Sequence, residues 1–268
     1  MRLSEPAPAK LNLALHVRGK LSDGRHALET VFAFCVDGDR VEAEIADALS
    51  LTVSGPFAGG LSIDGDNLAM KAAYQLAEAA GVKEGAAIAL AKKLPIASGV
   101  GGGSADAAAT LRLLTRLWNI DPQYAAQVAP SLGSDVPACL LSMTAIGTGA
   151  GEHLKLLGDA SIAGTAVLLV NPGVALSTAE VFAAWDGVDR GPLGHWREGR
   201  NDLETAARGL APEIGDVIDW LSRQPGVTFI RMSGSGATCF ALFDSEGDRD
   251  RAAASCPSNW WHLASFLR

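Results

Sequence analysis

Apolar and polar or small positions alternate along "KLNLALHV". Leu11, Leu13, Leu15 and Val17 fall on one side, which predicts a half-buried strand. Asp23-Gly24 in "LSDGRHALETVFAFC" marks a turn, and the apolar run behind it predicts a second strand. "DRVEAEI" and "LSLTVSG" predict two more short strands. The period then lengthens: "NLAMKAAYQLAEAA" predicts a helix capped by Asp66 and stopped at Gly81. "AAIALAKKL" predicts a strand that leads into a glycine-rich stretch. The helix after it has Leu111, Leu114 and Trp118 at helical spacing, Ser104 as its cap and Asp106 in its first turn. Asp121-Pro122 supplies the cap and first residue of the next helix, which runs out near "SLGSDVPACLL".

From about residue 160 the order of elements changes. "GTAVLLVNP" predicts a strand, "STAEVFAAW" opens with a Ser177–Glu180 capping box, and "APEIGDVIDWLSRQ" places Ile214, Val217, Ile218 and Leu221 on one helical face. "VTFIRMSG" and "ATCFALF" predict strands joined by Gly234-Ser235-Gly236, followed by a helix in "EGDRDRAAASC" and a closing strand in "WWHLASFL". With the first helix set aside, this is a split βαββαβ pattern.

Bulk composition narrows the partners. With 22 basic against 30 acidic residues the net charge is −8, which argues against a general nucleic-acid or anionic-membrane surface. Cys35, Cys139, Cys239 and Cys256 are scattered without metal-ligand spacing and read as apolar thiols in a reducing compartment. The N-terminus lacks an uninterrupted apolar signal core, and no stretch approaches membrane-spanning length, so a cytoplasmic protein is expected.

The stretch "LPIASGVGGGSADAAATLRLL" carries the first chemical signal. A flexible linker or a plain turn would also use glycine. A linker does not usually run straight into a strong helix, whereas a glycine loop at a helix N-terminus offers bare N–H groups and the positive dipole end to a phosphate. The pattern is not a Walker loop, because the one Gly-Lys pair, Gly19-Lys20, is followed by Leu21. The dinucleotide G-x-G-x-x-G fingerprint and the G-x-S-x-G elbow are absent as well. Lys10 alone reads as a solvated strand-edge lysine, Asp135 in "GSDVP" as a helix cap, and "RMSGSGATCF" as a hairpin.

Together, "APAKLNLALHV", "LPIASGVGGGSADAA", "GSDVP" and "SGSGATCF" resemble the GHMP kinase superfamily over essentially the whole chain. Further echoes are "SDGRHALETVF", "DNLAMKAA", "VNPGVALSTAEVF" and "RNDLE". "PAKLNL" paired with "DGRH" is similar to the branch that acts on a cytidine diphosphate derivative of methylerythritol, in the non-mevalonate route to isoprenoid precursors. The resemblance implies an α+β fold of two domains. Residues 1–158 would form a ribosomal protein S5 domain 2-like α/β domain with the ATP loop and catalytic residues. Residues 159–268 would form a ferredoxin-like split βαβ domain, with the substrate site in the cleft between the two.

The same resemblance implies residue roles. The γ-phosphate of ATP would pass to the 2-hydroxyl of the methylerythritol unit, with Asp135 accepting the proton and Lys10 supplying charge. ATP would lie on Pro95, Ile96, Ala97, Ser98, Gly99, Val100, Gly101, Gly102, Gly103, Ser104 and Ala105, with Asn67 beside adenine and Ser104 touching Mg²⁺. The glycines at 99, 101, 102 and 103 would let phosphate oxygens approach the backbone. Asn12, Arg25, His26, Thr178 and Phe182 would contact the cytidine substrate. Arg25 stands where relatives carry an aromatic that stacks on cytosine, Ala105 replaces a second serine, and Ala97 and Ser98 alter the loop. The partner is therefore a small-molecule cytidine diphosphate, with no nucleic acid, no membrane, and a monomer or weak homodimer. Two alternatives stay open: another GHMP kinase acting on mevalonate or a sugar, and a non-catalytic nucleotide-binding regulator on the same fold.

Overall fold

The computed structural model describes residues 1–159 and 161–268. In chain order its elements begin with β1 (Leu3–Lys20), β2 (His26–Ala46), β3 (Ser50–Ser54), α1 (Leu68–Ala80), β4 (Gly85–Ala91), α2 (Gly102–Leu117), α3 (Pro122–Leu132) and α4 (Val136–Leu141). They continue with β5 (Ala145–Gly149), β6 (His153–Leu156), β7 (Ala166–Asn171), α5 (Thr178–Ala183), α6 (Glu204–Leu210), α7 (Glu213–Ser222), β8 (Val227–Met232), β9 (Cys239–Phe243), α8 (Glu246–Ala254) and β10 (Trp261–Phe266). Among the described residues no helix is long and apolar enough to cross a membrane.

Packing groups the chain into two units interleaved in sequence. The first holds Met1–Ala9, Asp37–Ile96 and Gly101–Ser142, and the second holds Lys10–Val36, Ala97–Val100 and Met143–Arg268. The long strands β1 and β2 contribute residues to both.

In the first unit β3 runs parallel to β4, and β4 pairs antiparallel with Arg40–Ala46 of β2. Helices α1 to α4 pack with one another, and Leu76, Ile88, Leu90, Leu94, Leu111, Leu113 and Leu114 are buried in this unit. Asp121 caps α3 as expected, its carboxylate accepting from Gln123 N–H at 2.8 Å. The cap of α1, however, is Asn67 rather than Asp66: Asn67 has the extended backbone of a cap, and its side chain accepts from Ala69 N–H. Arg112 of α2 donates to the Cys139 carbonyl of α4 at 2.7 Å and to Glu5 at 2.6 Å, fastening the short helix that follows Asp135.

In the second unit β5 pairs with Leu28–Phe32 of β2, and β6 pairs with β5. A second, wholly antiparallel sheet has the order β10–β7–β9–β8, the order of a ferredoxin-like split βαβ domain. Its buried face carries Leu168, Val170, Cys239 and Ala241, against Ile214, Val217 and Leu221 of α7. Burial in this apolar setting pushes the Cys239 thiol up, and the Cys256 thiol up to about 11, which suits the inert role expected of them.

Four local expectations change. β1 is buried on both faces from Ala7 to Val17, so its polar residues are internal and not solvated. "VFAFC" and "DRVEAEI" form one continuous strand, because Asp37-Gly38 stays extended and Gly38 packs on the backbone of Ala7 to Ala9. Strands β5 and β6 went unseen in a segment punctuated by Gly147, Gly149 and Gly151. Helix α6 begins at Glu204, the last residue of "RNDLE", where the sequence pattern predicts no helix.

Candidate active site

Lys10 and Asn12 are two residues apart on β1 and so point to the same side of the strand. The Lys10 ammonium donates to the Asn12 carboxamide oxygen at 2.9 Å and lies 5.4 Å from the centre of the Phe32 ring. Lys10 is only 3% exposed. The carboxamide nitrogen of Asn12 donates to the Thr30 hydroxyl at 2.8 Å, and that hydroxyl donates onward to Ala14 O at 2.6 Å. The Asn12 backbone N–H donates to the Ser233 hydroxyl at 3.2 Å, which donates to Gly99 O at 3.0 Å. Thus the first motif, the glycine loop and "SGSGATCF" meet in one buried polar network.

The loop contributes Ala97–Val100 to the second unit and Gly101 onward to the first. Val100 O accepts from Lys10 N–H at 2.9 Å, and Ser98 O accepts from Thr238 N–H at 3.1 Å. Gly99 has φ +79°, and a Cβ there would sit 2.5 Å from Ser233 O and 2.6 Å from Gly236 O. Packing against its own chain therefore already requires this glycine, without reference to any ligand. At Gly102 the near atom is a side-chain end, the Lys92 ammonium, 2.9 Å from where its Cβ would be. Gly101, at φ +66°, takes the cap position of α2 in the left-handed region, which places Ser104 inside the first turn and not at the cap. Ile96, Ala97 and Gly103 are exposed, whereas Ser98, Val100 and Ala105 are buried. Asn67 is committed at both ends of its carboxamide, to Ala69 N–H and to Ser62 O.

Asp135 stands at the cap position of α4 with φ −85° and ψ −14°, half-buried, and makes no side-chain cap bond. The carboxylate therefore does not serve as the cap of α4 that its position in the sequence suggests.

Base-recognition candidates cluster in the second unit. The His26 imidazole stacks on Phe182 with centroids 4.6 Å apart and meets the edge of Trp185 at 5.7 Å. Burial, and then the charge of Lys20, lower the His26 pKa below its ordinary value, so the ring is neutral with one donor and one acceptor nitrogen. The Thr178 hydroxyl is 2.9 Å from that of Ser235. Arg25 is half-exposed, its guanidinium held by Asp23 at 2.8 Å and Glu152 at 3.1 Å. A cavity of about 640 Å³ is lined by Trp185, Asp186, Arg190, Arg200, Asp202 and Arg231. None of the expected site residues lines it; Trp185, the neighbour of His26, does. Thr30, Trp185, Glu152 and Ser233 are not singled out by the sequence, although "SDGRHALETVF", "STAEVFAAW" and "SGSGATCF" contain the first, second and last of them.

Among the described residues no group of three or more His, Cys, Asp or Glu side chains is placed to hold a metal ion. Ser104, the residue expected to touch magnesium, lies in the first turn of α2, and one hydroxyl would leave the ion's other positions to phosphates and water.

The GHMP kinases N terminal domain model matches residues 67–143, and the GHMP kinases C terminal model matches residues 189–262. The 4-diphosphocytidyl-2-C-methyl-D-erythritol kinase of Rhizorhabdus wittichii is 51% identical, aligned over 100% of this chain and 96% of its own. The chain belongs to the 4-diphosphocytidyl-2-C-methyl-D-erythritol kinase family of GHMP kinases. The kinase of that name from Novosphingobium aromaticivorans is 50% identical, over 100% of this chain and 94% of its own. A crystal structure of a 4-(cytidine 5'-diphospho)-2C-methyl-D-erythritol kinase matches with a TM-score of 0.84 and 33% identity, covering 100% of this chain and 99% of that one. The GHMP kinase fold expected from the motifs, with its α+β content and two sheets, is the fold observed.

Proposed function

We infer that this GHMP kinase transfers the γ-phosphate of ATP to the 2-hydroxyl of 4-diphosphocytidyl-2-C-methyl-D-erythritol, giving the 2-phosphate and ADP in the non-mevalonate isoprenoid route. The observation that carries the chemistry is the buried Lys10 ammonium resting on a neutral carboxamide. A buried ammonium held by a fixed hydrogen bond keeps its place and direction, so it can act on charge that develops beside it without reorganisation.

Phosphoryl transfer asks for positioning, charge neutralisation and the removal of one proton. Asp135 takes the proton of the attacking 2-hydroxyl as the bond to phosphorus forms, because a carboxylate is too weak a base to remove it beforehand. Lys10 stabilises the charge that develops on that oxygen. The amides of residues 95–105, ending at the α2 N-terminus, hold the ATP phosphates, with adenine beside Asn67. Magnesium bound with ATP and touching Ser104 would neutralise phosphate charge. His26 pairs with cytosine, Phe182 stacks on it, and Asn12 and Thr178 hydrogen-bond the substrate. Arg25 lies on a base face in place of an aromatic.

The two family matches fall on either side of residue 158, which supports a division into 1–158 and 159–268. A cytoplasmic monomer or weak homodimer fits this reading. The direct test incubates the protein with ATP, Mg²⁺ and the cytidine diphosphate substrate and looks for the 2-phosphate. Turnover of mevalonate or a sugar instead would favour the wider superfamily, and ATP binding without product would favour a regulator.

A further inference from the structure

Lys92 follows β4 in the first unit and is 2% exposed. Its ammonium donates to the Asp39 carboxylate of β2 and, at 2.8 Å, to the Asp106 carboxylate of α2. Asp39 also accepts the backbone N–H groups of Lys93 and, at 2.8 Å, Leu94, so the turn that enters the glycine loop hangs on the same carboxylate. The other oxygen of Asp106 is buried and has no hydrogen-bond partner. The ammonium lies 2.9 Å from the Cβ position of Gly102, the first residue of α2.

The signs of these charges matter. Alone, a cation against a helix N-terminus would oppose the helix dipole. Here the Asp39 and Asp106 carboxylates offset the ammonium charge, so its part is to tie the first turn of α2 to β2 and not to add charge to the loop. Helix α2 also lacks a side-chain cap, since Gly101 occupies that position. Its first turn is gripped from beneath instead, through Lys92 and Asp106. We propose that Lys92 is a positioning residue for the phosphate loop: pinned between Asp39 and Asp106, its ammonium fixes the first turn of α2 where the loop amides meet the nucleotide phosphates. The proposal rests on the reading of residues 95–105 as the ATP loop.

The test uses the full chain. Lys92→Met is expected to raise KM for ATP by about tenfold, with KM for the cytidine substrate and kcat little changed, and Lys92→Arg is expected to restore most of the loss. Asp39→Asn keeps acceptors for the two amides but drops the charge, and is expected to raise KM for ATP by less. Circular dichroism establishes that each variant folds. A folded Lys92→Met with unchanged KM for ATP, or with both KM values rising and kcat falling together, would overturn the proposal. If Lys92→Met does not fold, an unchanged KM for ATP in Asp39→Asn does the same. Hydrogen exchange separates this from the underlying reading. In the wild type a non-hydrolysable ATP analogue should protect amides 99–104, and its failure to do so removes the ATP-loop reading and the proposal with it. Protection in the wild type that Lys92→Met matches at the same analogue concentration removes the proposal alone.

Discussion

The Lys10 ammonium donates to the Asn12 carboxamide oxygen at 2.9 Å, and the same carboxamide donates to Thr30 at 2.8 Å. The acceptor is fixed from its far end, so it holds the ammonium in one direction. Asn12→Asp would keep an acceptor of the same shape but add a negative charge and lose the donor to Thr30. We expect Asn12→Asp to fold and to lower kcat by about a hundredfold, and Lys10→Met by about a thousandfold. Coupled ADP release, with thermal melts to establish folding, measures both. Near-normal kcat in Asn12→Asp would mean that the Lys10 charge is not used.

Asp135 sits at the cap position of α4 and makes no side-chain cap bond there. Asp135→Asn keeps the shape of the side chain and removes only its charge, so Tm is expected within about 2 °C of the wild type, a shift worth less than about 1 kcal/mol. The same change should lower kcat by about a thousandfold with both KM values held, as expected for a group that acts in the transition state. Steady-state kinetics alongside calorimetry checks this pairing. A large loss of Tm would return Asp135 to a structural role.

In the proposed pairing with cytosine, His26 would combine a directional role with a titratable ring. Burial and Lys20 place its pKa below the ordinary 6.5. The neutral ring thus persists to more acid pH than a free histidine would allow, and binding that needs a neutral ring is lost only as pH falls through the lowered value. KM for the cytidine substrate should be flat above pH 6.5 and rise at more acid pH, and Phe182→Ala should raise it at every pH by about tenfold. A KM that climbs already on the alkaline side of 6.5 would contradict the assignment.

Much of this architecture is legible in the chain because the signals are local. Apolar period, Asp121-Pro122, the Ser177 cap and the strand run "AVLLVN" place their elements directly. Lys10 is misread by local pattern for a physical reason: alternation reports one face of a strand, and nothing in "KLNLALHV" reveals that the other face is covered too. Ser104 is displaced from the cap because glycine at 101 reaches a left-handed conformation that no propensity for serine can outbid. Partners such as Thr30 and Ser233 come from distant parts of the chain, 18 and 221 residues from Asn12. Only motif resemblance brings such positions together in advance.

Acid stability offers a test outside the site. Asp159 accepts from the Trp196 indole N–H at 3.0 Å and from Ser161, and these bonds, Ser161 first, lower its pKa to about 2. The lowered carboxylate stabilises the fold at pH above its ordinary 3.8, and that contribution fades as pH falls toward 2. Asp159→Asn should melt about 2 °C lower at neutral pH, with the gap to the wild type closing in acid. Melts followed by circular dichroism across pH measure the closing; a gap that widens in acid would have the wrong sign.

The glycines of the loop have different reasons to be glycine, and substitution separates them. At Gly99 a Cβ meets two backbone carbonyl oxygens at 2.5 and 2.6 Å, and the φ of +79° strains any side chain. Backbone cannot swing aside as a side-chain end can, so Gly99→Ala must displace the Ser233–Gly236 turn or the loop itself. At Gly103 the Cβ meets only the tip of Leu68 at 3.3 Å, and the residue is helical and exposed. Alanine there costs no backbone strain and gains helix propensity over glycine, about 0.5–1 kcal/mol. Gly103→Ala should therefore melt at or slightly above the wild type, while Gly99→Ala melts several degrees lower. If phosphate oxygens approach the backbone at the head of α2, Gly103→Ala should still raise KM for ATP, because the added methyl stands where the ligand comes. A stabilised Gly103→Ala that binds ATP as well as the wild type would move the phosphates away from this turn. A rise in KM without loss of stability would instead assign this glycine to the nucleotide and Gly99 to the fold.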